Sequence, residues 1–338
     1  MTAHPAARSL ARLALVGLVA AGLGGCWGPR EGILATGSSE PALAQGEPTL
    51  LVATTRRPVA GGQKPWFSGE RGRGLSFARA RMAGPSDSLV QRVTSVVTGD
   101  WSVARVDTPQ SERAAETFAE TAVGKDVLLY VHGYRETFET AAVSAMELSR
   151  GIGFRGATGL FTWPSGGATF DYAYDRESAL WSRDALEDLL TALARSPSGG
   201  RVHVVAHSMG SFLTIETLRN VRAAGGEAAM AKIASVTLAS PDVDIDQFVR
   251  AVERLGPDAR KITVITSVND RALELSRRLA GGVARAGAAD REKLAGLEAL
   301  GVRIADASEF GSGLINHDLF LTNPEVKAVV KRAVERAG

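Results

Sequence analysis

Five histidines and one well-placed serine decide what chemistry this chain can offer. Ser208 sits in Ala206-His207-Ser208-Met209-Gly210, directly after the apolar run Arg201-Val202-His203-Val204-Val205-Ala206 and directly before a helical pattern that buries Phe212, Ile215 and Leu218. A strand that turns sharply into a helix lifts a serine hydroxyl clear of the backbone, and the small residues two before and two after it let strand and helix pass closely. A hydroxyl is a weak nucleophile until a base takes its proton, and the usual base is a histidine oriented by a carboxylate. His4 lies near the N-terminus. His203 lies along a buried strand, His207 is adjacent to the serine and badly aimed, and His132 ends a strand. His317 remains, in the loop Gly311–Asp318 before the last helix. Asp270, after the run Lys261–Ser267, is the favoured orienting acid, with Asp242 in Ser240-Pro241-Asp242-Val243-Asp244 as the alternative. The chemistry would be acyl transfer. Its oxyanion needs two N–H donors: the amide of Met209, and that of Gly133 or Tyr134 in the turn after Asp126–His132, where a glycine permits close backbone approach.

These residues need a scaffold, and the sequence supplies one by alternation. Predicted strands are Leu50–Thr54, Leu75–Arg81, Trp101–Val106, Asp126–His132, Ala157–Thr162, Arg201–Ala206, Ile233–Ala239, Lys261–Ser267 and Gly301–Ala305. Several are continuous apolar runs, as suits strands covered on both faces of a parallel sheet. Helical spacing appears over Glu136–Arg150, Arg176–Arg195 and Gly210–Ala223, and Asn323-Pro324 reads as an N-cap followed by proline at the first helical position. Strand–helix alternation predicts one α/β domain over residues 48–338, a mostly parallel central sheet flanked by helices on both faces. Gly281–Gly296 has no clear pattern and reads as a surface excursion. Ser165-Gly166-Gly167 reads as a flexible loop with no apolar face to serve as a lid. Trp163, Phe170, Tyr172 and Tyr174 are candidates to line an acyl pocket, though aromatics at that spacing are more often core.

The combination resembles the α/β-hydrolase superfamily, and within it bacterial alpha/beta hydrolases of unknown function with esterase- or lipase-like character. The resemblance rests on Ala53–Arg56, Ser68–Gly72, Val131-His132-Gly133-Tyr134, Thr162–Ser165, Asp175–Ala179, Ala206–Gly210, Ser240–Asp244 and Asn269–Leu273, together with His317. The His-Gly pair resembles the oxyanion strand of lipases and esterases. Ala206, where glycine is more usual, is the one departure at the turn. The resemblance implies the α/β-hydrolase fold and Ser208 as nucleophile, and less firmly Asp270 and His317. It implies no cofactor, and it names no substrate beyond a small ester or acyl compound; amides use the same apparatus. The alternative is a non-catalytic envelope lipoprotein that keeps the fold as a binding or scaffolding module.

Composition narrows the surroundings. The chain has 338 residues, 39 basic and 37 acidic, for a formal charge of +2. The two surplus cations, Arg8 and Arg12, lie in the first 25 residues, so the remainder is neutral and carries no electrostatic footprint for nucleic acid. The single cysteine excludes an internal disulfide and a multi-cysteine metal site, and no metal-binding cluster stands out. Residues 13–25 are apolar or small and end in Leu23-Gly24-Gly25-Cys26, which resembles the lipobox of bacterial lipoproteins. The expectation is a signal peptide over 1–25, a lipidated Cys26 and a Gly-, Pro- and Ser-rich tether over 26–47. Such a protein would be anchored to the bacterial cell envelope, at the outer membrane if the cell has two, since Trp27 rather than aspartate follows the cysteine.

Overall fold

The computed structural model describes residues 48–62, 64–84, 101–168, 171–267, 269–279, 281–310 and 317–337. The expected signal peptide, Cys26, the tether, Phe170 and the loop residues Gly311–Asn316 lie outside them. The strands are β1 (Thr49–Pro58), β2 (Phe67–Ala83), β3 (Ser102–Asp107), β4 (Val127–Val131), β5 (Ala157–Thr162), β6 (Val202–His207), β7 (Ile233–Ala239), β8 (Ile262–Thr266) and β9 (Arg303–Asp306). Among the described residues they form a single sheet in the order β3-β2-β1-β5-β4-β6-β7-β8-β9. From β1 to β9 every neighbouring pair is parallel; β2 and β3 are antiparallel additions at one edge. This is the mostly parallel, doubly covered sheet that the apolar runs require.

The helices are α1 (Ala114–Thr121), α2 (Phe138–Gly151), α3 (Tyr172–Trp181), α4 (Arg183–Arg195), α5 (Met209–Met230), α6 (Ile245–Leu255), α7 (Arg271–Leu279), α8 (Arg291–Ala299), α9 (Leu319–Thr322) and α10 (Pro324–Glu335). One core layer joins Phe118 of α1, Leu186, Leu189 and Leu190 of α4, Phe212 of α5 and Phe248 of α6 to one side of the sheet. The other joins Phe138 and Met146 of α2, Phe320 of α9 and Val326 and Val330 of α10 to the opposite side. Each fully buried leucine or phenylalanine contributes roughly 1.5–3 kcal/mol. Strand β6 feeds both layers by simple alternation. Val202, Val204 and Ala206 face the α4–α5 layer and Val205 the α2–α10 layer, so His207 continues on the α10 side.

Several boundaries differ from the sequence pattern, each for a local reason. The stretch Arg176–Arg195 is two helices, because the chain turns at Ser182, whose hydroxyl donates to the Ser178 carbonyl and shares a hydrogen bond with Thr55. Helix α5 runs past Ala223 to Met230 through a break at Gly226 (φ 60°). Helix α2 begins only at Phe138, behind Thr137, which forms a reciprocal capping box with Thr140. Asn323 caps α10 by accepting from the Glu325 and Val326 amides, with Pro324 at the first position.

Two expectations are overturned. Gly281–Gly296 is not wholly a surface excursion: Arg285, Ala286 and Gly287 are buried, and Ala286 and Gly287 donate to the carbonyls of Val243 and Pro241. The loop Ser165–Gly167 is pinned, since Ser165 Oγ and the Gly166 amide both donate to the buried Asp175 carboxylate, at 2.5 and 2.8 Å.

Candidate active site

Non-glycine residues rarely hold positive φ, and among the described residues three do: Arg135 (63°), Ser208 (50°) and Ser240 (46°). They follow the carboxyl ends of β4, β6 and β7 respectively. Strain of about 1–3 kcal/mol per residue persists only where neighbours impose it, and such residues gather at working sites. The chain leaves β4 for β5 on one side and returns to β6 on the other. Ligands of open α/β sheets bind at such a crevice.

Ser208 is held in its bend by its backbone. Its amide donates to the Ala239 carbonyl at 2.9 Å, and its carbonyl accepts from the amides of Ser211 (2.9 Å) and Asp242 (3.2 Å). A Cβ on Gly210 would lie 2.3 Å from the His132 carbonyl oxygen and 2.6 Å from that of Val131, so only glycine fits two residues beyond the serine. Ala206, two before it, is fully buried and pairs with Val131 without conflict. Met209 opens α5, so its amide is among the four that have no acceptor within the helix.

The other side of the crevice is the turn after β4. A Cβ on Gly133 would sit 2.8 Å from His207 Nδ1 and 3.1 Å from Ser208 Cβ, which places the Gly133 backbone against the serine. His132 has its tautomer fixed: Nε2 accepts from the Trp163 amide (3.1 Å), so Nδ1 carries the proton it donates to the Gly133 carbonyl (2.8 Å). A trans peptide sets N–H opposite C=O. With the Gly133 carbonyl turned to the His132 ring, the Tyr134 amide points the other way, which favours Tyr134 over Gly133 as the oxyanion donor. Gly133→Ala is expected to cost about 10²–10³-fold in kcat, with the protein still folded, because the methyl group displaces this donor. Steady-state kinetics alongside a melting curve checks it.

His317 and Asp270 meet. Asp270 Oδ2 accepts from His317 Nδ1 at 2.7 Å, while its Oδ1 accepts from the amides of Ala272 (3.0 Å) and Leu273 (3.1 Å) at the start of α7. His317 Nε2 is thereby left with the lone pair. Burial pulls the imidazole pKa down, but the charge and hydrogen bond of Asp270, with Asp242 and Asp318 adding, leave it raised. Asp242 is occupied elsewhere. It accepts from Tyr172 Oη (3.0 Å) and Ser276 Oγ (2.5 Å) and is paired with Arg285 Nε at 3.1 Å, both side chains being 3% exposed.

Two residues to which the sequence assigns no role in the chemistry, His207 and Arg56, shape the site. His207 donates from Nε2 to the His317 carbonyl (3.0 Å), and its ring lies 4.6 Å from that of His317 and 4.9 Å from Phe320. It clamps the histidine loop to the serine bend. The signal was the period-2 alternation of β6, which sends His207 to the α10 side. Arg56, 1% exposed, donates to Thr162 Oγ1 (2.8 Å) and to the Glu136 carbonyl (2.6 Å), and approaches His132 Nε2 at 3.4 Å. Burial lowers its pKa to about 10, against the raising effect of Asp175 and Glu136. It buttresses the turn that carries Gly133 and Tyr134. No periodicity marks an arginine that closes an apolar strand for that role.

The aromatic candidates separate. Trp163 is core, stacked on His132 at 4.7 Å. Tyr174 is 38% exposed and donates to the Gly69 carbonyl. Tyr172 is tied to Asp242 and meets Tyr134 edge-on at 5.6 Å. His203 is buried core, bonded to Ser235 at 2.8 Å.

Buried neutral imidazoles make stability depend on pH. Burial lowers the pKa of His132, with Arg56 adding, and that of His207, with His317 adding. Below the unfolded value near 6.5 the unfolded chain binds protons that the folded chain refuses, so stability falls as pH falls. The raised His317 contributes in the opposite sense: its term is full below 6.5 and is lost as pH rises through the folded value. Urea titrations at pH 7, 6 and 5 are expected to show unfolding free energy dropping by about 2–3 kcal/mol per pH unit below pH 6.5 for these two protons, with His203, whose pKa burial also lowers, adding to the fall.

Comparison with known proteins identifies the family. A 61-residue stretch is 36% identical to an uncharacterized protein (alr1448) of Nostoc sp., covering 18% of this chain and 16% of that relative. Est1E from Butyrivibrio proteoclasticus superposes with a TM-score of 0.41 at 8% identity, covering 78% of this chain and 95% of its own. An esterase from Pyrobaculum calidifontis gives 0.36 at 15% identity, covering 78% and 81%. Residues 109–334, more than half of the sequence, match the family described as alpha/beta hydrolase of unknown function (DUF900). With a parallel sheet of this order behind that match, the chain belongs to this family of alpha/beta hydrolases.

Proposed function

We propose that the chain is a serine hydrolase that cleaves a carboxylic ester or thioester through an acyl-enzyme on Ser208. The observation that carries this reading is the 2.7 Å contact between Asp270 and His317 Nδ1, with His207 joining the His317 backbone to the serine bend. His317 Nε2 takes the Ser208 proton as Oγ bonds to the carbonyl carbon. The resulting oxyanion is held by the amides of Met209 and Tyr134. Collapse breaks the ester or thioester bond, and His317 returns its proton to the departing alcohol or thiol. Water then repeats the cycle and releases the acid. Asp270 keeps the Nδ1–H tautomer and stabilises the imidazolium. The raised pKa of His317 puts the acid limb of the activity profile above the ordinary histidine value, because only the neutral ring is a base. Fluorophosphonate labelling tests the reading: one adduct, mapped to the peptide containing Ser208, is expected. An intact protein that takes up no probe makes the fold a binding module instead.

The same proposal extends to location. Acylation of Cys26 would hold the domain at the envelope membrane by its N-terminal tether, and no helix among the described residues is long and apolar enough to cross a bilayer.

A further inference from the structure

The catalytic crevice lies at the carboxyl ends of the parallel strands. The opposite end of the sheet holds a cavity of about 740 Å³ around the first residues of β1 and β5 and the last of β3. Five cations line it, Arg79, Arg81, Lys125, Arg150 and Arg155, against one carboxylate, Asp107. Asp107 is already bonded to Arg105 at 2.9 Å. Arg150 lies over the Trp101 ring at 5.9 Å. Among the described residues, no carboxylate lies within ion-pair distance of Arg79, Arg81, Lys125 or Arg155. At the wall, Ser149 Oγ and Thr158 Oγ1 share one hydrogen bond of 2.6 Å, which leaves one of the two O–H groups as a donor.

The concentration of charge is telling because the body of the protein is neutral. Pro48, the first described residue after the expected tether, lines the basic cavity. Residues 27–47 can reach at most roughly 70 Å. A chain anchored at Cys26 would thus enter the described domain at this end of the sheet.

We infer that the basic cavity at the amino ends of β1 and β5 seats the phosphate headgroup of an anionic phospholipid in the anchoring membrane, so that the catalytic crevice faces away from the bilayer. The inference rests on the hydrolase and lipid-anchor readings above for its meaning. Strand β6 spans about 20 Å from its basic end to Ser208. A domain seated this way cannot bring Ser208 to the lipids beneath it. Its substrates are then esters in solution or on a facing surface, not acyl lipids of its own membrane.

The test uses the full chain carrying Cys26→Ser, so that acylation does not mask docking. Sedimentation is measured with phosphatidylcholine vesicles and with vesicles that also contain phosphatidylglycerol. The apolar residues 13–25 partition into both alike, and Arg8 and Arg12 add the same anionic preference to every variant, so the readout is the change in the ratio on substitution. A preference for the anionic vesicles of about 100-fold at low salt is expected, about fivefold for each of three cations at the surface, and it should collapse as salt is raised. Arg79→Glu/Arg81→Glu/Arg155→Glu should cut the preference to what Arg8 and Arg12 contribute. A control of equal charge change, Arg250→Glu/Arg254→Glu/Arg291→Glu, should keep it. Both variants should hold the parent's melting temperature and its turnover of a soluble p-nitrophenyl ester. Equal binding to the two vesicle types, or an anionic preference that the first triple variant leaves unchanged, overturns the inference. So does a thermal shift with inorganic phosphate that the triple variant loses while vesicles show no preference, since the cavity would then take free phosphate. The separate readings fail separately: absent ester turnover strikes the hydrolase, and an unacylated processed N-terminus by mass spectrometry strikes the anchor.

Discussion

Replacing Ser208 by alanine is expected to lower kcat on a p-nitrophenyl ester by on the order of 10⁴–10⁶-fold and to abolish fluorophosphonate labelling. The size follows from what the hydroxyl is asked to do. Without it His317 has no proton to take, and the remaining catalysis comes from the oxyanion amides and from binding alone, a residue that serine hydrolases retain at about 10³–10⁴ over water. Stability should hardly move. The strain at position 208 is a backbone strain (φ 50°), which alanine carries as serine does, and the bonds that impose it run from the main chain to Ala239, Ser211 and Asp242. A melting temperature within a degree or two of the parent's, together with lost turnover, is the expected pair. Undiminished turnover in the alanine variant would remove Ser208 from the role whatever the stability.

How much of this was legible in the sequence depends on the kind of signal. Continuous apolar runs disclosed the strands, because a strand covered on both faces has no other way to look. The Ala206–Gly210 motif located the bend, because Gly210 must lack a side chain to pass the His132 and Val131 carbonyls. What stayed hidden were contacts between residues far apart in the chain. Arg56 and His132 are 76 positions apart, and His207 and the His317 carbonyl 110; nothing in local spacing announces either. Adjacency to the serine argues against His207 as the base but is silent about its holding a neighbour in place. Gly281–Gly296 conceals its role for a related reason. Its composition is that of a loop, yet it carries the guanidinium that neutralises Asp242, and a buried charge is recognised only through its partner. That pairing is also why two acids that looked interchangeable in the sequence have different surroundings in the fold.

The two acids should therefore separate under the same substitution. Asp270→Asn keeps an oxygen for the Ala272 and Leu273 amides, so its stability cost should stay near 1 kcal/mol. Its kinetic cost should be about 10⁴-fold in kcat, since a neutral amide neither enforces the Nδ1–H tautomer nor stabilises the imidazolium. The residual activity carries a second signature. Asp270 is the main reason the His317 pKa is raised against burial, so the acid limb of the pH–rate profile should move to lower pH in the variant. Asp242→Asn should behave in reverse. It leaves Arg285, 3% exposed, as an uncompensated buried cation, at a cost of about 3–5 kcal/mol in unfolding free energy, while kcat changes by less than about tenfold, because His317 keeps its carboxylate. Arg285→Met in the Asp242→Asn background should recover much of that stability by removing the orphaned charge. Kinetics and urea titrations on the three variants decide the assignment: a kinetic collapse in Asp242→Asn with Asp270→Asn near the parent would move the orienting role to Asp242, in spite of the 2.7 Å bond that Asp270 makes in this structure.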